Sequence, residues 1–281
     1  MHGPLNPDES ALIARLPPIQ RARGYRLYAQ DGSRWLDCWA EGGRALAGHR
    51  PKGLSLRLKN EIDRGLYAAY PNRWTGRLAK ALRRMFPDYP MIRVYRNAER
   101  AFAAARLDDS PVDPLDLPLD NESHNDEEVK LKREAADRNS FSPNTAFWGR
   151  PLLLEHPKGA YLFPILPFPG LSEAQTVLAA DSEAPLPESD PISPVILAGL
   201  IRSCGFPAEG FPIFSSFSAD IWERRGPYLL YRGHHDAYPT LFESMLARRI
   251  LIAPSPMRPS IVPPDMSVNE MKTFGFGGLL P

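Results

Sequence analysis

Gly24-Tyr25-Arg26-Leu27-Tyr28-Ala29-Gln30-Asp31-Gly32-Ser33-Arg34-Trp35-Leu36-Asp37, running on to Gly48-His49-Arg50-Pro51, is the stretch from which the rest of the chain takes its meaning. Tyr25 and Leu27 stand on one side of Asp31-Gly32, and Trp35 and Leu36 on the other. Asp-Gly between two strand-like runs predicts a tight hairpin, because glycine takes the positive φ of such a turn without steric cost. A lone hairpin is marginal in water and needs more strands or a helix against it. The far end of the sequence offers both. Phe242, Leu246, Ile250 and Ile252 are apolar, Ile250–Ala253 has the composition of a buried strand, and Ser267 with Glu270 forms a capping box before a last helix. Pairing strand 250–253 with the hairpin's sheet would bury both apolar sets, so the two ends are expected to share one core.

Between the ends, apolar positions in 52–66 fall near helical spacing, and so do Trp74, Leu78, Leu82 and Met85; such a stripe is a core face. A short helix is expected at 8–16, a strand at 93–95, a helix at 98–106, a helix opened by Ser193-Pro194, a strand at 228–231, and a helix from Thr240 to Arg249 behind a second capping box at Thr240 and Glu243. Proline numbers 31 in 281 residues, about twice its usual share, which predicts many short elements. Prolines through 151–171 favour short edge strands there. The acidic, Pro-rich run 108–139 reads as an exposed mobile insert with a short charged helix at 126–137. No internal repeat occurs.

The net charge of +1 argues against a nucleic-acid footprint, which needs a strong basic excess. No apolar run approaches the roughly 20 residues that span a bilayer, and the first residues lack a signal-peptide layout. Cys38 and Cys204 make no disulfide framework, so a cytoplasmic setting is expected. Cys38, beside Asp37 in a strand, reads as a buried inert thiol. His234-His235-Asp236 is adjacent histidines that point different ways with no second ligand pair nearby, so no metal site is expected. There is no Gly-x-Ser-x-Gly elbow and no Gly-Lys-Ser/Thr phosphate loop.

Three patches carry a resemblance to a known family. The first is the hairpin and its sequel: aromatic strand, Asp-Gly turn, aromatic strand ending in Asp37, then Gly48-His49-x-Pro51. The second is Pro71 followed seven residues later by Leu78-Ala79. The third is the tail, from Leu246 through Ile250-Leu251-Ile252-Ala253-Pro254-Ser255 and Ile261-Val262 to the capped helix at Ser267–Glu270. In this order they resemble the class III aminotransferases, pyridoxal-phosphate enzymes of fold type I, and most of all the glutamate-1-semialdehyde aminomutase branch. The patches cover roughly 1–106 and 240–275.

The resemblance implies an α/β chain with a truncated PLP-transferase fold of type I: a small α+β domain from 1–90 and 240–281 together, and a reduced large domain at 91–239, mainly a parallel sheet, carrying the insert at 108–139. It implies pyridoxal 5'-phosphate as cofactor. That chemistry needs a Schiff-base lysine, a carboxylate on the pyridine nitrogen and a Ser-Gly-Thr cradle for the phosphate at a helix N-terminus. After Arg93-Val94-Tyr95-Arg96-Asn97 the family's Ser-Gly-Thr is absent, and Ala98-Glu99-Arg100-Ala101 follows at once. No Asp-Glu-Val before Gly-Phe-Arg occurs, and no lysine has a Gly-Lys-x-x-Gly-Gly context. Lys158, in His156-Pro157-Lys158-Gly159, is the candidate catalytic lysine. Where the aminomutase branch has Ser-Trp-Gly on the substrate side, this chain has Glu41-Gly42-Gly43, so Gly43 alone matches as a substrate-binding position. Arg258 is the candidate fork for a substrate carboxylate in an interdomain cleft.

Two functions follow. One is a degenerate relative, a pseudoenzyme without tight pyridoxal phosphate binding, used for binding or assembly with a small amino-acid-like ligand or a protein partner. The other is an active pyridoxal-phosphate-dependent aminotransferase or aminomutase acting on an amino acid. The fold type builds active sites at a dimer interface, so a homodimer is one implied assembly; no nucleic-acid or membrane partner is expected.

Overall fold

The structure, a computed structural model, describes residues 5–117, 145–153, 158–168, 173–205, 217–219 and 221–274. The chain divides into two compact units, Met1–Pro51 with Pro207–Pro281, and Lys52–Phe206.

In the first unit the hairpin forms as its turn chemistry dictates. Strands β2 (Arg26–Ala29) and β3 (Arg34–Asp37) pair antiparallel with Leu27 opposite Trp35. Gly32 takes φ 82°, and Asp31 Oδ1 accepts the Ser33 N–H at 2.8 Å. Strand β1 (Ile19–Arg23) flanks β2, and β11 (Ile250–Leu251) lies parallel to β3 with Ile250 opposite Leu36. The two apolar sets therefore meet. Leu27, Trp35 and Leu36 share one core with Phe242, Leu246, Ile250 and Ile252. A second sheet, in the order β12 (Ser260–Ile261), β10 (Tyr228–Tyr231), β9 (Trp222–Arg225), β8 (Phe217–Ala219), is antiparallel throughout. Helix α1 (Pro7–Ile13) starts on an Asn6–Glu9 capping box. Helix α7 (Val268–Thr273) starts on the Ser267–Glu270 box expected for it. Helix α6 (Tyr238–Ala247) begins two residues before Thr240, with Pro239 in its first turn; Thr240 is therefore inside the helix and caps nothing. Proline's fixed φ suits that first turn and overrides the capping signal.

The second unit holds a sheet in the order β4 (Met91–Tyr95), β7 (Gln175–Ala179), β6 (Tyr161–Pro164), β5 (Ala146–Gly149). β5 and β6 are parallel, while β6/β7 and β4/β7 are antiparallel. The mainly parallel sheet implied by the resemblance is corrected here. The link from β6 to β7 is only residues 165–174, short of the dozen or more that a parallel crossover needs. Helices α2 (Leu54–Asp63), α3 (Trp74–Met85) and α5 (Pro194–Ser203) cover one face, burying Leu54, Trp74, Leu78, Leu82, Leu197 and Leu200 against Val94 and Leu178. Met85, the last residue of α3, is exposed. Helix α4 (Ala98–Ala104) covers the other face, with Phe102 edge-on to Trp148 and Phe163.

Two boundaries differ from the sequence expectation. Residues 52–90 group with the second unit, because α2 and α3 pack on α5. Residues 207–239 group with the first, where β10 pairs with β12. The exposed insert expected at 108–139 is contradicted over its first residues. Pro111, Asp113, Pro114 and Leu115 are buried, and Val112 bridges to Phe147. Residues 118–139, including the expected helix at 126–137, lie outside the described residues.

Candidate functional site

The most organised polar constellation lies where β3 ends. Asp37 is buried, and its Oδ1 accepts the N–H groups of Trp39 and Ala40, each at 2.9 Å. Its Oδ2 meets His49 Nε2 at 2.6 Å. His49 is held from behind, its N–H donating to Gly24 O at 2.8 Å. This approach requires glycine at position 48: φ is 78° and a Cβ there would meet the Gly24 backbone at 3.1 Å. Between the two ends the backbone is left-handed over four successive residues, Ala40 (φ 48°), Glu41 (φ 50°), Gly42 (φ 65°) and Gly43 (φ 103°). For the two non-glycine residues this costs on the order of 1–3 kcal/mol each, a strain that persists only where the surroundings over-determine the loop. Asp37 supplies part of that determination, and Tyr25, whose hydroxyl donates to Leu46 O at 2.5 Å, supplies more.

The electrostatics centre on His49. Burial, the largest influence, opposes its charged form; the hydrogen bond to Asp37 and the charges of Asp37 and Glu41 outweigh it and raise the pKa. An imidazole held beside a carboxylate favours its protonated form. Among the described residues no hydroxyl or thiol is bonded to it. Cys38 is fully buried, and burial together with the Asp37 charge pushes its thiol well up, which agrees with an inert thiol. Because the folded-state pKa lies above the unfolded value of about 6.5, the His49–Asp37 pair contributes stability that is full below that value and is lost as pH rises through the folded pKa. A proton NMR titration of His49 should give a midpoint above that of a free histidine, and Asp37→Asn should lower it; equal midpoints in both proteins would remove the assignment.

The residues singled out from sequence fall in different places. Gly43 sits in the strained loop, where a Cβ would meet the Tyr228 ring at 3.8 Å. Arg258 is also in the first unit, but buried and forked onto Glu9, Nε to Oε1 at 2.8 Å and Nη2 to Oε2 at 2.9 Å. Burial, the largest influence on Glu9, would raise its pKa; the bonds from Arg258 and Asn6 and the guanidinium charge more than reverse this. The fork thus already holds a carboxylate of its own chain. Lys158 is in the second unit, 83% exposed and 3.0 Å from Asp88. His234, His235 and Asp236 form an exposed turn, and no His/Cys/Asp/Glu group able to hold a metal exists among the described residues.

The turn after β4 tests the cofactor. Asn97 caps α4, accepting the Arg100 N–H at 2.9 Å. Asp190 reaches the same turn: its Oδ2 accepts the Arg96 N–H at 3.0 Å, and its carboxylate stands 3.5 Å from Nε of both Arg96 and Arg100. Where the resemblance places a phosphate cradle, the chain has put a carboxylate that takes up the Arg96 N–H and pairs with two arginines of the turn. The five described lysines, Lys52, Lys59, Lys80, Lys158 and Lys272, are all exposed, whereas a Schiff-base lysine is activated by desolvation or a neighbouring cation. The described residues do not fit pyridoxal phosphate. Asp190 escaped the sequence reading because nothing local marks a residue 94 positions from Arg96 as its partner.

Comparison with known proteins gives a fold and a partial sequence match. No family model matches the chain. Over 90 residues it is 36% identical to a glutamate-1-semialdehyde 2,1-aminomutase from Heliobacterium modesticaldum, a stretch that is 32% of this chain and 21% of that enzyme. Over 93 residues it is 34% identical to an uncharacterized protein from Treponema pallidum, 33% of this chain and 30% of that protein. The matched stretches thus span less than a third of these curated relatives. Among solved structures, N-acetylornithine aminotransferase from Stenotrophomonas maltophilia superposes with a TM-score of 0.63 at 14% identity, over 94% of this chain and 96% of that one. Ornithine aminotransferase from Toxoplasma gondii gives 0.59 at 14% identity, over 95% and 90%.

Proposed function

Starting from a chain with the PLP-transferase fold of the class III aminotransferases and a partial match to glutamate-1-semialdehyde aminomutase, we propose that this protein is a non-catalytic relative of those enzymes. It does not hold pyridoxal phosphate tightly and serves binding or assembly. The observation that supports the reading is Asp190, whose carboxylate takes the Arg96 N–H and the Arg96 and Arg100 side chains. A phosphate there would face the like charge of Asp190, and two anions sharing one pair of cations repel. The exposure of Lys158 points the same way.

The test is absorbance of the purified protein with added pyridoxal phosphate, before and after borohydride. The expected result is no stoichiometric band from lysine-bound cofactor and no trapped pyridoxyl peptide. A stoichiometric band would overturn the proposal, and a label on Lys158 would then make the protein a lysine-dependent enzyme after all. The competing reading, an active aminotransferase or aminomutase, has the sequence match in its favour; it predicts that label.

A further inference from the structure

The loop at 40–43 of the first unit is held closed against its own preferences. Ala40 and Glu41 take φ of 48° and 50°, a region that residues with a Cβ rarely adopt. The indole Nε1 of Trp39, the residue before them, is buried with no hydrogen-bond partner among the described residues. A buried donor left unpaired carries its full desolvation penalty. Opening the loop would relieve all three residues. Backbone strain of this kind clusters at segments that switch between two arrangements.

The groups that keep the loop closed belong to one corner. Asp37 Oδ1 accepts the Trp39 and Ala40 N–H groups at the entrance to the loop. The other oxygen of Asp37 is bonded to His49 Nε2, from the segment that follows the loop. The side chains of Asp37 and His49 are 3% and 14% exposed, so the imidazolium is a counter-charge in contact with a buried carboxylate. Glu41 adds to this from inside the loop: its charge also favours the imidazolium. The interaction is mutual. As far as the closed loop favours the proton on His49, that proton favours the closed loop. When the proton leaves, a hydrogen bond from Nε2 to Asp37 can persist, but the attraction of both carboxylates for the ring is gone. A buried carboxylate is then left without the cation it touched. Of the other ionisable groups around this corner, Cys38 and Tyr25 are both pushed up by burial and stay neutral. Arg26 is engaged with Asp265 and Glu270. Turn bonds within the loop, such as Ala45 N–H to Ala40 O at 2.9 Å, do not change with protonation.

We propose that Asp37 and His49 form a proton-operated latch on this loop, closed while His49 carries its proton and released when the proton is lost. Because the closed loop raises the His49 pKa above its ordinary value, closure is favoured at low pH and is lost as pH rises through the raised value. The latch does not depend on whether pyridoxal phosphate binds.

The test is amide hydrogen exchange on the full chain. Protection factors of the Trp39 and Ala40 N–H groups are followed across the titration of His49, with the imidazole midpoint read by NMR. Both should fall roughly five-fold or more as His49 deprotonates, since each unit of pKa difference between closed and open loop is a factor of about ten. The midpoint of the fall should be that of the imidazole. His49→Gln keeps a donor without the charge and should leave both amides weakly protected at every pH. Ala40→Gly relieves left-handed strain and leaves the charged groups in place; its loop should stay protected after His49 deprotonates. If His49→Gln fails to fold, Glu41→Gln replaces it and should shrink the fall and lower its midpoint. Protection that stays flat while His49 titrates would overturn the proposal. So would a fall that is unchanged in His49→Gln or Glu41→Gln, because another group would then operate the loop.

Discussion

Replacing Arg150 by Met is expected to destabilise the second unit by about 3–5 kcal/mol, because it strands a buried carboxylate. The Arg150 side chain is 0% exposed and its partner Asp113 only 6%. Asp113 Oδ1 receives Nε at 2.7 Å and Oδ2 receives Nη2 at 2.5 Å. Asp113 also accepts the Leu115 N–H at 3.0 Å, which fixes the one-turn 3-10 helix Pro114–Asp116 against the end of β5. Removing the guanidinium therefore loosens the link between this turn and the sheet as well as the ion pair. Asp113→Asn keeps one acceptor for the Leu115 N–H but strands the guanidinium instead, and should cost about as much. Urea unfolding measures both. A loss below about 1 kcal/mol for Arg150→Met would mean that the pair is hydrated and behaves as a surface bridge.

The second large effect is expected at Glu9 and Arg258. Arg258→Leu should also cost about 3–5 kcal/mol, now by leaving Glu9 buried without its cation. The pair ties α1 to the 254–258 turn of the first unit. It also separates a structural arginine from a ligand-binding one. Glu9→Gln leaves the guanidinium in place and removes the charge that occupies it. If Arg258 serves only the fold, added glutamate will shift the melting temperature of neither protein. If the site can take a free carboxylate, glutamate will stabilise Glu9→Gln and not the parent chain. Stabilisation of the parent chain itself would show that a ligand competes successfully with Glu9, and would restore Arg258 as a substrate fork.

What the sequence made legible was local chemistry. Asp31-Gly32 specified its turn, Ser267 and Glu270 their cap, and Trp74, Leu78 and Leu82 their core face, because each signal acts over a few residues. Met85 shared the stripe but fell at the helix end, where it is exposed. The boundary of α6 was misplaced because Thr240 and Pro239 offered competing starts, and steric preference won. The candidate-site residues were the harder problem. Arg258 was singled out by residue type, yet its role is set by Glu9, 249 positions away. Asp190 carries no local mark at all. The Asp37–His49 pair lay inside the decisive stretch, but two residues twelve apart meet only because Gly48 lets the chain close on Gly24.

The pairing of β11 with β3 has a consequence for the order in which the chain acquires structure. Ile250 and Leu36 are separated by roughly 200 residues, and closing a loop of that length costs on the order of 5 kcal/mol of chain entropy before any contact repays it. Lys52–Phe206 is continuous in sequence; the first unit is not. During synthesis the hairpin must therefore wait, one edge of β3 unpaired, until Leu251 has been made. An unpaired edge invites pairing with other chains. The aggregation-prone interval in the life of this protein is thus the time the ribosome takes to pass from Asp37 to Leu251, and slow translation anywhere between them lengthens it.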